Sequence, residues 1–209
     1  MKIILSTTYL GPVQYYSKLL KYNKVLIEKF ENYTKQTYRN RCVIYSANGI
    51  VNLTIPIKKD KPKTYIKDII IDYDTNWRKL HWKSIESAYR SSPFFEFFED
   101  DLIPFYSKKY KYLLDFNIEL QELIVENLGF DNELAYTDKY CKNSELIDYR
   151  DIFHPKKSIG KIDKCFKPEQ YHQVFVEKYG WKPNLSIIDL LFNEGPNAIN
   201  VLRNSIVDC

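Results

Sequence analysis

The first 27 residues constrain the fold more than any later stretch. Ile3-Ile4-Leu5 is a short apolar run of strand character, and Thr7-Thr8-Tyr9-Leu10-Gly11-Pro12 breaks it. Pro12 suits the start of a helix, and Val13, Tyr16, Leu19 and Leu20 then recur at helical spacing to residue 22. Val25-Leu26-Ile27 reads as a second strand. Two strands joined through one helix run parallel in a sheet, which is the opening of a doubly wound α/β layout.

The chain then changes character. Residues 42–45 and 51–57 are strand-like runs flanking Ser46-Ala47-Asn48-Gly49, and Asn-Gly is a strong hairpin signal. Pro56 marks an edge or a strand end. The alternation over residues 66–73 predicts a further strand. Trp77, Leu80, His81, Ser84, Ile85, Ala88 and Tyr89 share one helical face, and a second helix is expected from Pro93 or Phe94 to Ile103, interrupted by Pro104. A third is expected over 113–128, with Gly129 as its C-cap. Residues 137–160 show weak periodicity, and 156–167 read as a basic, glycine-containing loop. Structured segments return at 171–179 and 185–192, with a last helix over 196–202. The predicted fold class is α/β: a mixed, mainly parallel sheet with helices on both faces, an inserted β-hairpin and a helical middle segment. Residues 1–209 are expected to form one domain.

Composition narrows the function classes. The 31 basic and 27 acidic residues leave a net charge of +4, scattered rather than striped, which argues against a nucleic-acid binder. No apolar run approaches the ~20 residues of a membrane span. The four cysteines stand alone, without the tight spacing of a zinc site, and the expectation is a reduced, cytoplasmic protein without a metal. Aromatic residues are abundant, with 18 Tyr and 12 Phe, in keeping with either an aromatic core or an AT-rich genome.

Four stretches are candidates for chemistry. Ser6, Thr7, Thr8 and Tyr9 follow the first strand, where open α/β sheets bind ligands beyond strand carboxyl ends and near helix N-termini. The alternative is a capped helix start. Neither GxGxxG nor GxxxxGK[ST] is present. Tyr38-Arg39-Asn40-Arg41 carries two arginines at i, i+2, which lie on one side of an extended chain as a clamp for phosphate or carboxylate, or else in a solvated loop. His81 is a candidate proton shuttle, set against a hydrogen-bonded core role. The acidic residues Glu96, Glu99, Asp100 and Asp101 read as a solvated helix surface. Asp189 needs a partner if buried, and helix capping competes with a catalytic role.

These stretches together resemble the WbqC-like family. The resemblance rests on Tyr9-Leu10-Gly11-Pro12, Tyr38-Arg39-Asn40-Arg41, Ala47-Asn48-Gly49 with Leu53-Thr54-Ile55-Pro56, and Trp77-Arg78-Lys79-Leu80-His81-Trp82. It continues through Ala88-Tyr89, Ser92-Pro93-Phe94-Phe95 and residues 184–193. The resemblance implies a role in bacterial surface-polysaccharide (O-antigen) biosynthesis, as a transferase adding an amino acid such as glycine to a nucleotide-linked amino sugar. A non-catalytic assembly protein among other glycan-biosynthesis enzymes and a nucleotidyl-transfer enzyme are the competing readings. Under the transferase reading Thr7, Thr8, Tyr9, Tyr38, Arg39, Asn40 and Arg41 bind substrate, and His81 or Asp189 acts as base. Many relatives carry a Gln-Pro pair, often preceded by His, where this chain has Ser6-Thr7-Thr8.

Overall fold

A computed structural model describes residues 2–58, 63–130, 133–142, 145–156 and 162–208. The fold is α/β. β1 (Lys2–Ser6) and β2 (Lys24–Glu28) pair in parallel register, Ile3 opposite Val25 and Leu5 opposite Ile27. The connecting helix α1 (Val13–Lys21) buries Val13, Tyr16 and Leu19. Fully burying side chains of this size stabilises by about 2 kcal/mol each. The amides at its first turn are already satisfied: Val13 N–H donates to the Leu185 carbonyl and Gln14 N–H to Asn184 Oδ1, both at 2.9 Å. A ligand anion therefore has little left to bind at this helix end.

The hairpin pairs β3 (Arg41–Ser46) with β4 (Gly49–Thr54) through the two-residue turn Ala47-Asn48. Gly49 has φ +96°, which glycine accommodates freely. The strand expected over 66–73 does not form. That segment is a single 3-10 turn, Ile66–Asp68, followed by isolated bridges of Ile70 to Tyr112 and Ile71 to Ile57. Its alternation reflects a chain laced between two loops rather than a ladder.

The helical middle comprises α2 (Trp77–Tyr89), α3 (Phe95–Ser107) and α4 (Leu113–Asn127). Helix α3 runs through Pro104 instead of stopping there, held by burial of Phe95, Phe98, Leu102 and Tyr106 on both sides of the proline. Gly129, at φ +68°, ends α4 and donates its N–H to the Glu126 carbonyl. Two further strands have no clear signal in the sequence pattern. β5 (Glu133–Tyr136) pairs with β2, and β6 (Ile147–Asp148) pairs with β1, both in parallel. The sheet order is β5-β2-β1-β6. The chain ends in α5 (Val176–Tyr179), α6 (Ile187–Glu194) and, after a 3-10 turn at Gly195–Asn197, α7 (Ala198–Asn204). Helix α1 packs on α6 and α7, and α6 packs on β3.

Of the basic loop expected over 156–167, residues 157–161 lie outside the described residues. Cys42 and Cys141 are free thiols, but Cys165 is disulfide-bonded, against the expectation of reduced cysteines. No helix among the described residues is long and apolar enough to cross a membrane.

Candidate functional site

Taken in chain order, the parallel strands lie third-second-first-fourth across the sheet. The chain departs from β1 toward β2 and later returns on its other side as β6, so the topological switch point lies between β1 and β6. Open α/β sheets bind ligands in the crevice beyond the strand carboxyl ends at such a point.

Ser6 ends β1 there. Its hydroxyl lies 3.0 Å from Glu31 Oε2 and 3.2 Å from the Arg150 carbonyl as possible acceptors. Arg39 reaches in from the segment before β3. Its Nε and Nη2 donate to the two Glu31 oxygens at 2.8 and 2.5 Å, and Nη2 also donates to Ser6 Oγ at 2.8 Å. Ser6, Glu31 and Arg39 are all buried. A bidentate guanidinium–carboxylate pair has the geometry that offsets desolvation best. The third nitrogen, Nη1, has no hydrogen-bond partner among the described residues.

A second, partly buried pair stands beside the first. Glu28, at the end of β2, meets Arg150 Nη1 at 3.2 Å and accepts from Thr137 Oγ1 at 2.7 Å and the Cys141 amide at 2.9 Å. Burial and its bond to Asp148 oppose each other at Arg150; the bond dominates and raises the guanidinium pKa further.

Arg39 and Glu31 form part of the wall of a cleft of about 570 Å³. This lies within the roughly 300–1,000 Å³ typical of small-molecule sites. Lys63, Lys142 and Asp151 line it as well, and so do Tyr65 and Tyr140, each nearly half exposed. Arg39 also borders a narrow gap shared with Thr7, Thr8, Tyr38 and Phe153. Two other hollows of about 540 Å³ lie elsewhere, one over Val25, Leu26 and Ala135, the other between Asp72, Asp74, Lys109 and Lys111. Neither touches the switch point.

The sequence-predicted residues are distributed around this cleft unevenly. Arg39 is in it, but its fork holds Glu31 rather than standing open. Arg41 does not share that cluster; its Nε donates to Thr54 Oγ1 at 3.2 Å on the hairpin. Asn40 is buried and pins the hairpin base through its amide, which donates to the Ile55 carbonyl at 2.8 Å. Tyr38 is buried, its hydroxyl pKa pushed up to about 12 by desolvation, and its carbonyl accepts from Tyr9 N–H. Thr7 and Thr8 are buried at the gap, and Thr7 Oγ1 has no partner among the described residues.

His81 and Asp189 belong to two separate buried nodes and neither lines the cleft. His81 Nδ1 and the Tyr9 hydroxyl lie 2.9 Å apart, and Tyr106 bonds the same hydroxyl at 2.9 Å. Burial lowers the His81 pKa to about 4, against a weaker opposing bond to the Thr54 backbone. Asp189 accepts from Tyr89 at 2.8 Å, Tyr171 at 2.7 Å and Gln173 at 3.1 Å. Desolvation raises its pKa to about 6 in spite of those donors. Its side chain joins α6 to α2 and the 171–173 segment instead of capping its own helix.

Lys63, Tyr65, Tyr140, Lys142 and Asp151 carried no signal in the sequence. They come from three loops, two placed by the sheet order and the third, carrying Lys63 and Tyr65, by backbone pairing with residues 31–33. Among the described residues, no group of three or more His, Cys, Asp or Glu is placed to hold a metal ion.

No solved structure matches the chain. An uncharacterised protein of Mycobacterium tuberculosis (strain ATCC 25618 / H37Rv), Rv1507c, is 25% identical over 225 aligned positions, covering 96% of each chain. The profile of the WbqC-like protein family matches residues 7–160, which include Ser6's neighbour Thr7, the Arg39–Glu31 pair and the cleft residues through Asp151. The chain therefore belongs to the WbqC-like protein family.

Proposed function

We propose that the chain is a transferase of surface-polysaccharide biosynthesis that binds a nucleotide-linked sugar in the switch-point cleft and acylates the sugar amine with an amino acid such as glycine. In that reaction the amine nitrogen attacks the acyl carbon of an activated donor. The sugar ammonium first releases one proton to solvent to give the free amine; a C–N bond then forms, the bond to the donor's leaving group breaks with its electron pair, and the second nitrogen proton passes to that leaving group.

The observation that supports this reading best is the uncommitted Nη1 of Arg39, a residue in the cleft wall. Glu31 holds the guanidinium rigid while Nη1 stays uncommitted at a cleft that also carries Lys63 and Lys142. A preorganised guanidinium edge and two flexible ammonium groups suit a diphosphate. Tyr65 and Tyr140 offer half-exposed aromatic faces for a base or sugar ring. In this reading His81 and Asp189 stabilise the walls and do not touch substrate.

Calorimetry against UDP-, GDP- and dTDP-linked sugars tests it. One of these conjugates is expected to bind, and Lys142→Ala and Tyr140→Ala are each expected to weaken it by about fivefold or more without lowering the melting temperature. Binding that ignores both substitutions, or no binding of any conjugate, would contradict the reading.

A further inference from the structure

The cleft contains two carboxylates in different states. Both oxygens of Glu31 are engaged by Arg39, at 2.8 and 2.5 Å, and that pair is buried. Asp151 is exposed and has neither an ion pair nor a hydrogen bond among the described residues. The two lysines on the same walls, Lys63 and Lys142, likewise have no carboxylate partner there. The arginine next to Asp151 in sequence is taken up by Glu28 and Asp148. One cleft thus presents unneutralised charge of both signs, which fits a ligand that is itself anionic at one end and cationic at the other. Asp151 lies three residues beyond the end of β6.

We propose that Asp151 is the specificity-determining residue for a cationic amine on the bound sugar, so that the cleft selects a nucleotide-linked amino sugar in its ammonium form over the hydroxyl counterpart. The proposal rests on the reading above and adds the residue that reads the amine. Ion pairing at a partly exposed carboxylate discriminates modestly, by about fivefold. Asp151 positions the ammonium and leaves the phosphates to Arg39 and the lysines.

Calorimetry with the UDP and dTDP conjugates of glucosamine and of glucose separates the two claims. Wild type is expected to bind the amine-bearing conjugate about fivefold more tightly at pH 6.5. Asp151→Asn is expected to bring the ratio of the two affinities to about one, and Asp151→Glu to restore part of the preference. Equal affinity of wild type for both sugars, or a preference that survives Asp151→Asn, overturns the proposal and leaves the nucleotide-sugar reading standing. No binding of any conjugate overturns both.

Discussion

Tyr9 and His81, 72 positions apart in the chain, meet at 2.9 Å inside a cage that includes Trp77, 5.1 Å from the imidazole centroid. The bond ties the loop after β1 to α2, so the floor of the switch point is fixed to the helical middle. Because burial holds the His81 pKa at about 4, the folded protein binds fewer protons here than the unfolded chain does between about pH 6.5 and 4. This contribution to stability is complete above pH 6.5 and is lost as pH falls through 4. Between pH 7 and pH 4.5, urea unfolding is expected to show wild type losing on the order of 1–3 kcal/mol relative to His81→Gln, in which the contribution from Asp189 is unchanged. An identical acid loss in the variant would contradict the assignment.

Asp189 has the opposite sign. Its folded pKa of about 6 lies above the ordinary 3.8, so the folded state takes up the proton more readily than the unfolded chain. Stability from this group is fully present below pH 3.8 and is lost as pH rises through 6. Asp189→Asn is expected to flatten stability between pH 4 and 7 relative to wild type, measured by the same unfolding curves. Asp189→Ala is expected to cost about 2–4 kcal/mol, because the Tyr89 and Tyr171 hydroxyls lose their acceptor inside the core.

Removing one member of the Arg39–Glu31 pair leaves the other charged and buried. Arg39→Ala is expected to destabilise by about 3–5 kcal/mol, and Arg39→Lys to recover only part of that because an ammonium cannot replace the fork. The double substitution Arg39→Met with Glu31→Leu is expected to be much milder than Arg39→Ala in denaturant midpoints, yet to abolish sugar-nucleotide binding. A double variant as unstable as the single one would contradict the pairing argument.

Two glycines report on close approach. A Cβ on Gly11 would lie 2.5 Å from Thr8 Oγ1, and one on Gly195, at φ +52°, would lie 2.5 Å from the Phe94 ring. Gly195→Ala combines a clash with a rigid ring and an unfavourable φ, so it is expected to cost about 2–4 kcal/mol. Gly11→Ala meets a small side chain and is expected to cost about 1–2 kcal/mol. Thermal unfolding of the pair checks the order, and a larger loss at Gly11 would reverse it.

The early β-α-β unit was legible because its runs are apolar and its connections short. β6 was not, since it is two residues long with both side chains exposed, and pairing with β1 alone defines it. The segment over 66–73 misled for the reverse reason: its alternation is real, but its bonds go to single residues in two loops. The i, i+2 spacing points to Arg39 and Arg41 as a pair, while the structure separates the two. What the sequence pattern cannot carry is the partner: Glu31 lies in a polar stretch that looks solvated and is buried beneath Arg39. Tyr65, Tyr140 and Asp151 share no spacing with one another: Tyr140 and Asp151 follow strands of the sheet, and Tyr65 is brought in by backbone pairing of its loop with residues 31–33.

The central claim is that the switch-point cleft is the ligand site. Hydrogen–deuterium exchange with and without a bound sugar nucleotide measures this directly. Ligand-induced protection is expected in peptides covering residues 30–39, 63–66, 139–142 and 149–152, with the nodes of His81 and Asp189 unchanged. Protection confined to the sheet face over Val25 and Ala135, or to the loops at Asp72 and Lys109, would contradict it.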